Sequence, residues 1–149
     1  MCITIINGDL LDATENIIGH QVNCKGVMGA GVAKLIKQQY TDAFESYIRT
    51  CRLPIDEILG SCQIVRVGQD KFIANLFGQK DFGRSAKQYT DYEALKTALQ
   101  SLKEQAKANQ LSVALPFNIG CGLANGDWKV VEEIINEVFS DYHVSLYKI

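Results

Sequence analysis

Glycine-rich stretches occupy residues 26–31 (GVMGAG, the first glycine loop) and residues 120–126 (GCGLANG, the second glycine loop). Each lies between an apolar, strand-like run and a helix-like run. Where a strand passes into a helix through glycines, backbone N–H groups point outward at the positive end of the helix, and such a loop binds anions, most often phosphate. Two of these loops in a chain of 149 residues predict a ligand that carries two phosphates and is held from both sides.

Neither glycine loop matches a common phosphate-binding motif. Val32 and Ala33 stand where a P-loop needs a lysine and a serine or threonine. Lys34 and Asn125 stand at the third glycine position of a dinucleotide-binding fingerprint. The loops therefore argue against an ATPase or a Rossmann dehydrogenase, and for either loop alone a plain tight turn stays an alternative.

Composition indicates a single domain over residues 1–149, because 47% of the residues are hydrophobic and 21% are charged. A chain of this length buries enough surface to fold without metals or disulfides. The net charge of −2 gives no electrostatic basis for non-specific binding to nucleic acid or to a membrane surface. We expect a monomer that binds a phosphate-bearing small molecule through backbone amides.

Cysteine usage predicts free thiols in a reducing cytoplasm, because the five cysteines are odd in number and form no C-x-x-C pair. The chain begins directly with a strand-like run, so we expect neither a signal peptide nor a membrane-spanning segment. A zinc site is not expected, since His20 and His143 lie far from any cysteine pair. No metal and no other cofactor is predicted.

Alternating apolar runs predict a three-layer α/β/α domain with a mixed central sheet of about six strands. The strand-like runs are residues 3–7, 17–22, 62–67, 72–77, 112–117 and 144–147. The helix-like runs, with apolar residues at spacings of three and four, are residues 31–40, 41–51, 89–108 and 128–139. A hairpin is predicted at residues 66–71, which makes the sheet mixed.

A polar, charged loop over residues 78–88 (the long loop) is a further candidate for function, since long loops in compact domains are often functional. Its charged residues are Lys80, Asp81, Arg84 and Lys87. They would cover a bound ligand, or they form an ordinary solvated surface.

Four motifs taken in order resemble those of a macro domain. They are NGDL at residues 7–10, VNCKGVMGAGVA at residues 22–33, IGCGL at residues 119–123 and DW at residues 127–128. The resemblance covers nearly the whole chain. It is nearest to a small stand-alone group that includes terminal ADP-ribose protein glycohydrolases and ADP-ribose-1″-phosphate phosphatases. Macro domains bind ADP-ribose, whose diphosphate is the chemistry that the two glycine loops predict.

The resemblance implies a set of ligand contacts. Asp9 would accept a hydrogen bond from the adenine amino group, Tyr147 would stack on the base, and Asn23 would reach the hydroxyls of the distal ribose. The alternatives are an Asx turn, a buried strand tyrosine and local turn bonding, respectively. The full set is Asp9, Leu10, Asn23, Met28, Gly29, Ala30, Gly31, Val32, Asn118, Gly120, Cys121, Gly122, Leu123 and Tyr147.

Catalysis is less clearly indicated by the sequence. Members of the glycohydrolase group carry an acidic residue directly after Gly-Cys-Gly-Leu and a lysine in the loop after the fourth strand. Here the acidic position is Ala124 and the lysine position is Gln79, with Lys80 beside it. The loss of the carboxylate removes the obvious base for activating water. Cys121 is interpreted as a small filler, because no histidine is placed by the sequence to activate it.

His20, Asp127 and Lys80 are the remaining catalytic candidates. A histidine occurs at the place of His20 in phosphatase-type members, and with a pKa near neutrality it would serve as an acid, a base or a phosphate ligand. The alternatives are a core histidine for His20, a helix N-cap for Asp127 and a solvated surface lysine for Lys80.

Three functions are compatible with the sequence. The leading one is metal-independent hydrolysis of an ADP-ribose derivative, either an ADP-ribosylated macromolecule or ADP-ribose-1″-phosphate. The second is a non-catalytic ADP-ribose reader, which Ala124 favours, whereas a chain that consists of this domain alone favours the enzyme. The third is a sensor of another nucleotide diphosphate, in which Asp9 and Tyr147 would lie away from the pocket.

Overall fold

The computed structural model describes residues 2–149, in which six strands alternate with helices. The strands are β1 (Ile3–Asn7), β2 (Ile17–Val22), β3 (Cys62–Gly68), β4 (Lys71–Phe77), β5 (Val113–Pro116) and β6 (Val144–Lys148). The helices are α1 (Gly31–Gln39), α2 (Thr41–Thr50), α3 (Ile55–Ile58), α4 (Tyr92–Ala108) and α5 (Trp128–Val138), with a 3-10 helix at Leu10–Asp12.

The strands form one sheet in the order β1-β6-β5-β2-β4-β3. Only β3 and β4 pair antiparallel among the described strands, through the hairpin that the sequence predicts, so the mixed sheet is confirmed. Because β2 lies between β5 and β4 and runs parallel to both, the loops that follow these three strands meet at one edge. In open α/β sheets, ligands bind at this carboxyl edge.

Helices cover both faces of the sheet, which confirms the three-layer α/β/α fold. Successive residues of a strand point to opposite faces. Ile17 packs in the core formed with α4 and α5, whereas Ile18 packs with Ile36 of α1 and Ala43 of α2. Central strands buried on both faces explain the continuous apolar runs of the sequence.

Several predicted boundaries differ from the observed ones. The helix predicted from residue 89 begins at Tyr92, because Asp91 caps it by accepting from the N–H of Ala94 at 3.1 Å. The preceding residues, Tyr89 and Thr90, instead donate their N–H groups to the carbonyl oxygen of Ala124. The 3-10 helix and α3 are too short for their periodicity to be read from the sequence.

The thiols of Cys2, Cys24, Cys51, Cys62 and Cys121 are all free. Within residues 2–149, no helix combines the length and apolarity needed to span a bilayer. The same residues contain no group of three or more His, Cys, Asp or Glu side chains arranged to hold a metal ion.

Candidate functional site

A cavity of about 680 Å³ opens at the carboxyl edge of the sheet, beyond the ends of β2, β4 and β5. Its walls are the first glycine loop with the start of α1, the second glycine loop with the segment before it, and the long loop. The lining residues are 20–23, 27, 29–33, 79, 82–84 and 116–124. A cavity of this size accommodates a nucleotide-sized ligand.

The first wall presents backbone N–H groups at the start of α1. Within residues 2–149, the N–H groups of residues 28–33 meet no protein acceptor, and Ala30 at the N-cap makes no side-chain cap. Gly31 has φ +58, a conformation that favours glycine, and an added Cβ would meet no atom within 4 Å. The positive end of a helix with unused donors therefore borders the cavity.

The second wall is the second glycine loop. In the described chain, the N–H groups of residues 122–124 also meet no protein acceptor. Thr90 fixes this loop, because its Oγ1 donates to the carbonyl oxygen of Gly120 at 2.6 Å. Asn125 ties it to the long loop by donating from Nδ2 to two carbonyl oxygens there, at 2.9 and 2.7 Å. Two sets of unused donors thus line one cavity, an arrangement suited to a diphosphate.

Asn23, which directly follows β2, is held by its neighbours in one orientation. Its Oδ1 accepts from the Tyr47 hydroxyl at 2.7 Å, and its Nδ2 donates to the carbonyl oxygen of Val27 at 2.8 Å. The same hydroxyl accepts from the N–H groups of Gly26 and Val27, both at 3.1 Å. Burial raises the pKa of Tyr47 well above its ordinary value, so the phenol stays protonated. The second amide hydrogen of Asn23 meets no acceptor in the described part of the chain.

His20 lies on β2 and lines the cavity, although it is only 1% exposed. Its Nε2 lies 2.7 Å from Oδ1 of Asn75 on β4, and its Nδ1 has no partner among the described residues. Burial lowers the pKa of His20 to about 4, so the imidazole is neutral at pH 7. The expectation of a near-neutral pKa is therefore wrong, because the apolar interior disfavours the charged ring.

A network of neutral amides occupies the position where the resemblance to the glycohydrolase group implies a lysine. Gln79 accepts at Oε1 from Nε2 of Gln21 at 2.7 Å, and its own Nε2 donates to the carbonyl oxygen of Asp81 at 2.7 Å. The same Gln21 nitrogen donates to Oγ1 of Thr90 at 3.0 Å. These contacts hold Gln79 in the cavity wall. The wall therefore presents a neutral amide at this position and not the ammonium group of a lysine.

Charge in the cavity is sparse. Among the lining residues of the described chain, Arg84 is the only one charged at pH 7, and none is an aspartate, glutamate or lysine. Burial raises the pKa of Cys121 to about 11, so this thiol stays protonated and is a poor nucleophile. Ala124 is buried, and its methyl side chain has no group that could donate or accept a proton. The cavity wall therefore consists mainly of backbone donors and neutral side chains.

The structure brings most of the predicted site residues together around this cavity. Those that line it are His20, Asn23, Gly29, Ala30, Gly31, Val32, Asn118, Gly120, Cys121, Gly122 and Leu123. Those that do not line it are Asp9, Leu10, Met28, Lys80, Asp127 and Tyr147.

Asp9 follows the end of β1 and Tyr147 lies on β6, the strand that pairs with β1, at the far side of the sheet from β4. Oδ1 of Asp9 accepts from the N–H of Leu11 at 3.0 Å, as the Asx-turn alternative expects, and its other carboxylate oxygen meets no donor within residues 2–149. The Tyr147 hydroxyl donates to Glu15 at 2.7 Å, and its ring is half-buried. Neither residue lines the cavity, which is the arrangement that the alternative of a sensor for another nucleotide diphosphate expects.

The other outlying residues have structural roles. The side chains of Leu10 and Met28 are buried in the core, at 5% and 2% exposure, so their predicted ligand contacts would have to be made by their backbone. Asp127 caps α5 by accepting from the N–H of Lys129 at 2.9 Å. The side chain of Lys80 is exposed and does not line the cavity, whereas its carbonyl oxygen accepts from the N–H of Cys24 at 3.1 Å.

Several lining residues had no assigned role in the sequence interpretation. Gln21 is the clearest example, although a polar residue inside an apolar strand is a signal that could have pointed to it. Phe82 is a second example, because it lines the cavity and is 46% exposed. An exposed phenylalanine in a long charged loop is a comparable signal, because burial is its usual state.

Taken together, the three-layer fold and the opposed donor sets define an α/β domain with a site suited to anionic ligands at the carboxyl edge of its sheet. The chain belongs to the macro domain family, whose model matches residues 20–135. A "DNA ADP-ribosyl glycohydrolase" of Mycobacterium tuberculosis is 31% identical over 92% of this chain and 38% of that protein. The chain therefore spans well under half of the length of that relative.

Two further comparisons extend this result. An "ADP-ribose 1″-phosphate phosphatase" of Debaryomyces hansenii is 25% identical, over 97% of this chain and 98% of that protein. The solved macrodomain of Mycobacterium tuberculosis DarG superposes with a TM-score of 0.83 at 29% identity, covering 99% of this chain and 97% of that one. The predicted family and fold are therefore confirmed.

Proposed function

We propose that this chain binds ADP-ribose in the cavity between its two glycine loops and hydrolyses an ADP-ribosyl linkage. The observation that carries the proposal is the opposed pair of unused backbone donors at residues 28–33 and 122–124. Such donors suit the two phosphates of ADP-ribose, because they pair with negative charge without requiring a basic surface. The names of the relatives agree on ADP-ribose derivatives as the ligand class.

The order of the strands supports one direction for the ligand. Adenine would lie towards β1 and β6, where Asp9 follows β1, Tyr147 lies on β6 and one carboxylate oxygen of Asp9 meets no donor within residues 2–149. The diphosphate would lie between the glycine loops, which follow β2 and β5. The distal ribose would then reach the β2 and β4 side, beside Asn23 and Gln79.

Hydrolysis at the distal ribose needs only water as a second reactant. The water oxygen forms a bond to C1″ as the bond from C1″ to the attached group breaks, and the water proton passes to the leaving group. The relatives supply two candidate attachments, a DNA base or backbone position and a 1″-phosphate. The open side of the cavity beside the long loop would accommodate the attached group.

A reader without catalytic activity is the second candidate, and one observation favours it. No aspartate, glutamate or lysine lines the cavity in the described chain, and Gln79 and Ala124 occupy the two positions where the resemblance to the glycohydrolase group implies a lysine and an acidic residue. Binding through backbone donors does not depend on those side chains. Tight binding without turnover would therefore identify a reader.

Calorimetric titration with ADP-ribose, with AMP and NAD as controls, tests the binding step. Micromolar and selective binding is the expected result, and absence of binding would refute the proposal. Turnover is then measured on ADP-ribosylated DNA, ADP-ribosylated protein and ADP-ribose-1″-phosphate. A Gly122→Glu variant serves as the control, since turnover by a contaminating hydrolase would survive that substitution.

Three further properties belong to the same proposal. The chain would act as a single domain over residues 1–149 and as a monomer, because one cavity holds the whole ligand. A reducing cytoplasm suits the free thiols. The net charge of −2 argues against non-specific binding to nucleic acid, so an ADP-ribosylated macromolecule would be recognised through its ADP-ribosyl group.

A further inference from the structure

A chain of hydrogen bonds runs from α2 through the sheet to His20. Gln63 on β3 donates from Nε2 to the carbonyl oxygen of Ser46 at 3.0 Å and to Oγ1 of Thr50 at 2.7 Å. These two acceptors fix the orientation of the Gln63 amide, with its Oε1 left to accept. Nδ2 of Asn75 donates to that Oε1 at 3.1 Å and to the carbonyl oxygen of Ala43 at 3.3 Å.

The same chain determines which ring nitrogen of His20 carries the proton. Because both hydrogens of Asn75 Nδ2 are used, Oδ1 is the atom that faces His20, and it is an acceptor only. Nε2 of His20 lies 2.7 Å from it and must donate. The ring is neutral, so Nδ1 carries no proton and presents a lone pair.

The bare nitrogen lies on the side of the ring that faces away from β4. The two ring nitrogens of an imidazole point in widely different directions, and Nε2 points to Asn75 on β4. The other neighbour of β2 is β5, whose end lines the cavity. Nδ1 is buried, has no partner among the described residues, and belongs to a side chain that lines the cavity. A buried acceptor of this kind requires a donor from outside the chain.

We propose that Nδ1 of His20 accepts a hydrogen bond from a hydroxyl group of the distal ribose. This inference rests on the proposed binding of ADP-ribose with its distal ribose towards β2 and β4. His20 is then a specificity-determining residue that recognises a hydroxyl through a fixed acceptor. It acts neither as a general acid nor as a phosphate ligand.

The fixed acceptor also makes the site selective. A phosphate ester oxygen that carries no proton has lone pairs only, and placed against Nδ1 it would leave both groups unpaired. Because the attached group of a substrate is at C1″, the hydroxyl that faces Nδ1 must be at C2″ or C3″. The chain should therefore prefer ADP-ribose over an ADP-ribose phosphorylated at either of these two positions, whereas ADP-ribose-1″-phosphate keeps both hydroxyls. Replacing the ring by a side chain without the acceptor should narrow that preference.

Nitrogen NMR of the two histidines tests the inference directly, because His20 and His143 are the only histidines in the sequence. At neutral pH we expect a protonated Nε2 and a bare Nδ1 for His20. Saturating ADP-ribose should shift the Nδ1 signal towards the hydrogen-bonded range, whereas ADP, which lacks the distal ribose, should leave it unchanged. The His143 signals are the internal control.

The outcomes separate this inference from the proposed function. Backbone amide shifts in the glycine loops report binding independently of His20. If those amides shift and Nδ1 does not, or if ADP moves Nδ1 as much as ADP-ribose does, the inference is wrong and the binding proposal stands. A protonated Nδ1 also overturns the inference. If no amide shifts, both proposals fall.

A His20→Phe variant gives a second test, with His143→Phe as its matched control. Loss of one hydrogen bond should weaken ADP-ribose binding by roughly 3- to 10-fold. Binding of ADP should change by less than about 2-fold, since the distal ribose is absent from ADP. Equal weakening for both ligands would show a structural role and overturn the inference, as would unchanged ADP-ribose affinity.

Discussion

Gly122→Glu should abolish tight ADP-ribose binding with little effect on stability, if the second glycine loop holds the diphosphate. Gly122 lines the cavity, and an added Cβ would meet no atom within 4 Å. Its φ lies outside the left-handed region, so a side chain there adds no backbone strain. Gly31 is a poorer choice, because its φ of +58 lies in the left-handed region, where any other side chain would add roughly 1–2 kcal/mol of backbone strain.

The expected magnitude follows from Coulomb's law. A carboxylate about 5–6 Å from each phosphate, at an effective dielectric constant of about 40, repels each negative charge by roughly 1.5 kcal/mol. Two phosphate charges give roughly 3 kcal/mol, which is about a 100-fold rise in Kd. Because the groups border an open cavity, salt should screen part of this penalty.

Gly122→Gln is the matched control, since it has nearly the same size without the charge. Calorimetric titration with ADP-ribose at low and high salt measures both variants, and thermal unfolding checks that they are folded. The glutamate variant should lose far more affinity than the glutamine variant, and the difference should shrink as salt rises. Equal losses of affinity in the two variants would mean that the added side chain acts only through its size. Unchanged affinity in both variants would show that this loop does not contact the ligand.

Three other perturbations test the framework of the site. Tyr47→Phe leaves the N–H group of Gly26 without its acceptor and Oδ1 of Asn23 without the hydroxyl donor; chemical denaturation should show a loss of roughly 2 kcal/mol, and an unchanged midpoint would contradict this. Asn125→Gly keeps the positive φ of 60 but removes the ties to the long loop, so amide exchange should quicken there and stay constant in α4. His20 has a pKa of about 4 when folded, below its unfolded value, so the unfolded state binds more protons between these values. Stability should therefore fall by roughly 3 kcal/mol from pH 6.5 to 4, and His20→Gln should lack that part of the slope relative to wild type.

The fold and the backbone part of the site can be predicted from local patterns in the sequence. The apolar run of β2 and the periodic pattern of α4 predict their elements because each pattern is read within one segment. The first and second glycine loops are likewise predicted locally, since glycine marks backbone that must adopt unusual φ or approach a ligand closely. Gly31 and Gly120 fulfil this with φ values of +58 and +75.

The side-chain part of the site depends on long-range register, which no local pattern reveals. His20 meets Asn75 because β2 and β4 pair in a register that joins residues 55 positions apart. Tyr47 on α2 donates to Asn23, which follows β2 and lies 24 positions earlier in the sequence. The histidine was therefore expected to have a near-neutral pKa, whereas the packing of two strands and α2 around it keeps it neutral.

Binding and catalysis require different groups in this cavity, and the cavity supplies those for binding more fully than those for catalysis. Backbone donors satisfy a diphosphate whatever the side chains are, and both glycine loops retain them. Activation of water needs a group that takes a proton near neutral pH. Among the lining residues His20 is a weak base with a pKa of about 4, and Gln79 and Ala124 do not titrate. If turnover is measured, the proton acceptor must therefore be a group that does not line the cavity in this structure, and Asp127→Asn and Lys80→Gln variants would test the two remaining candidates from the sequence.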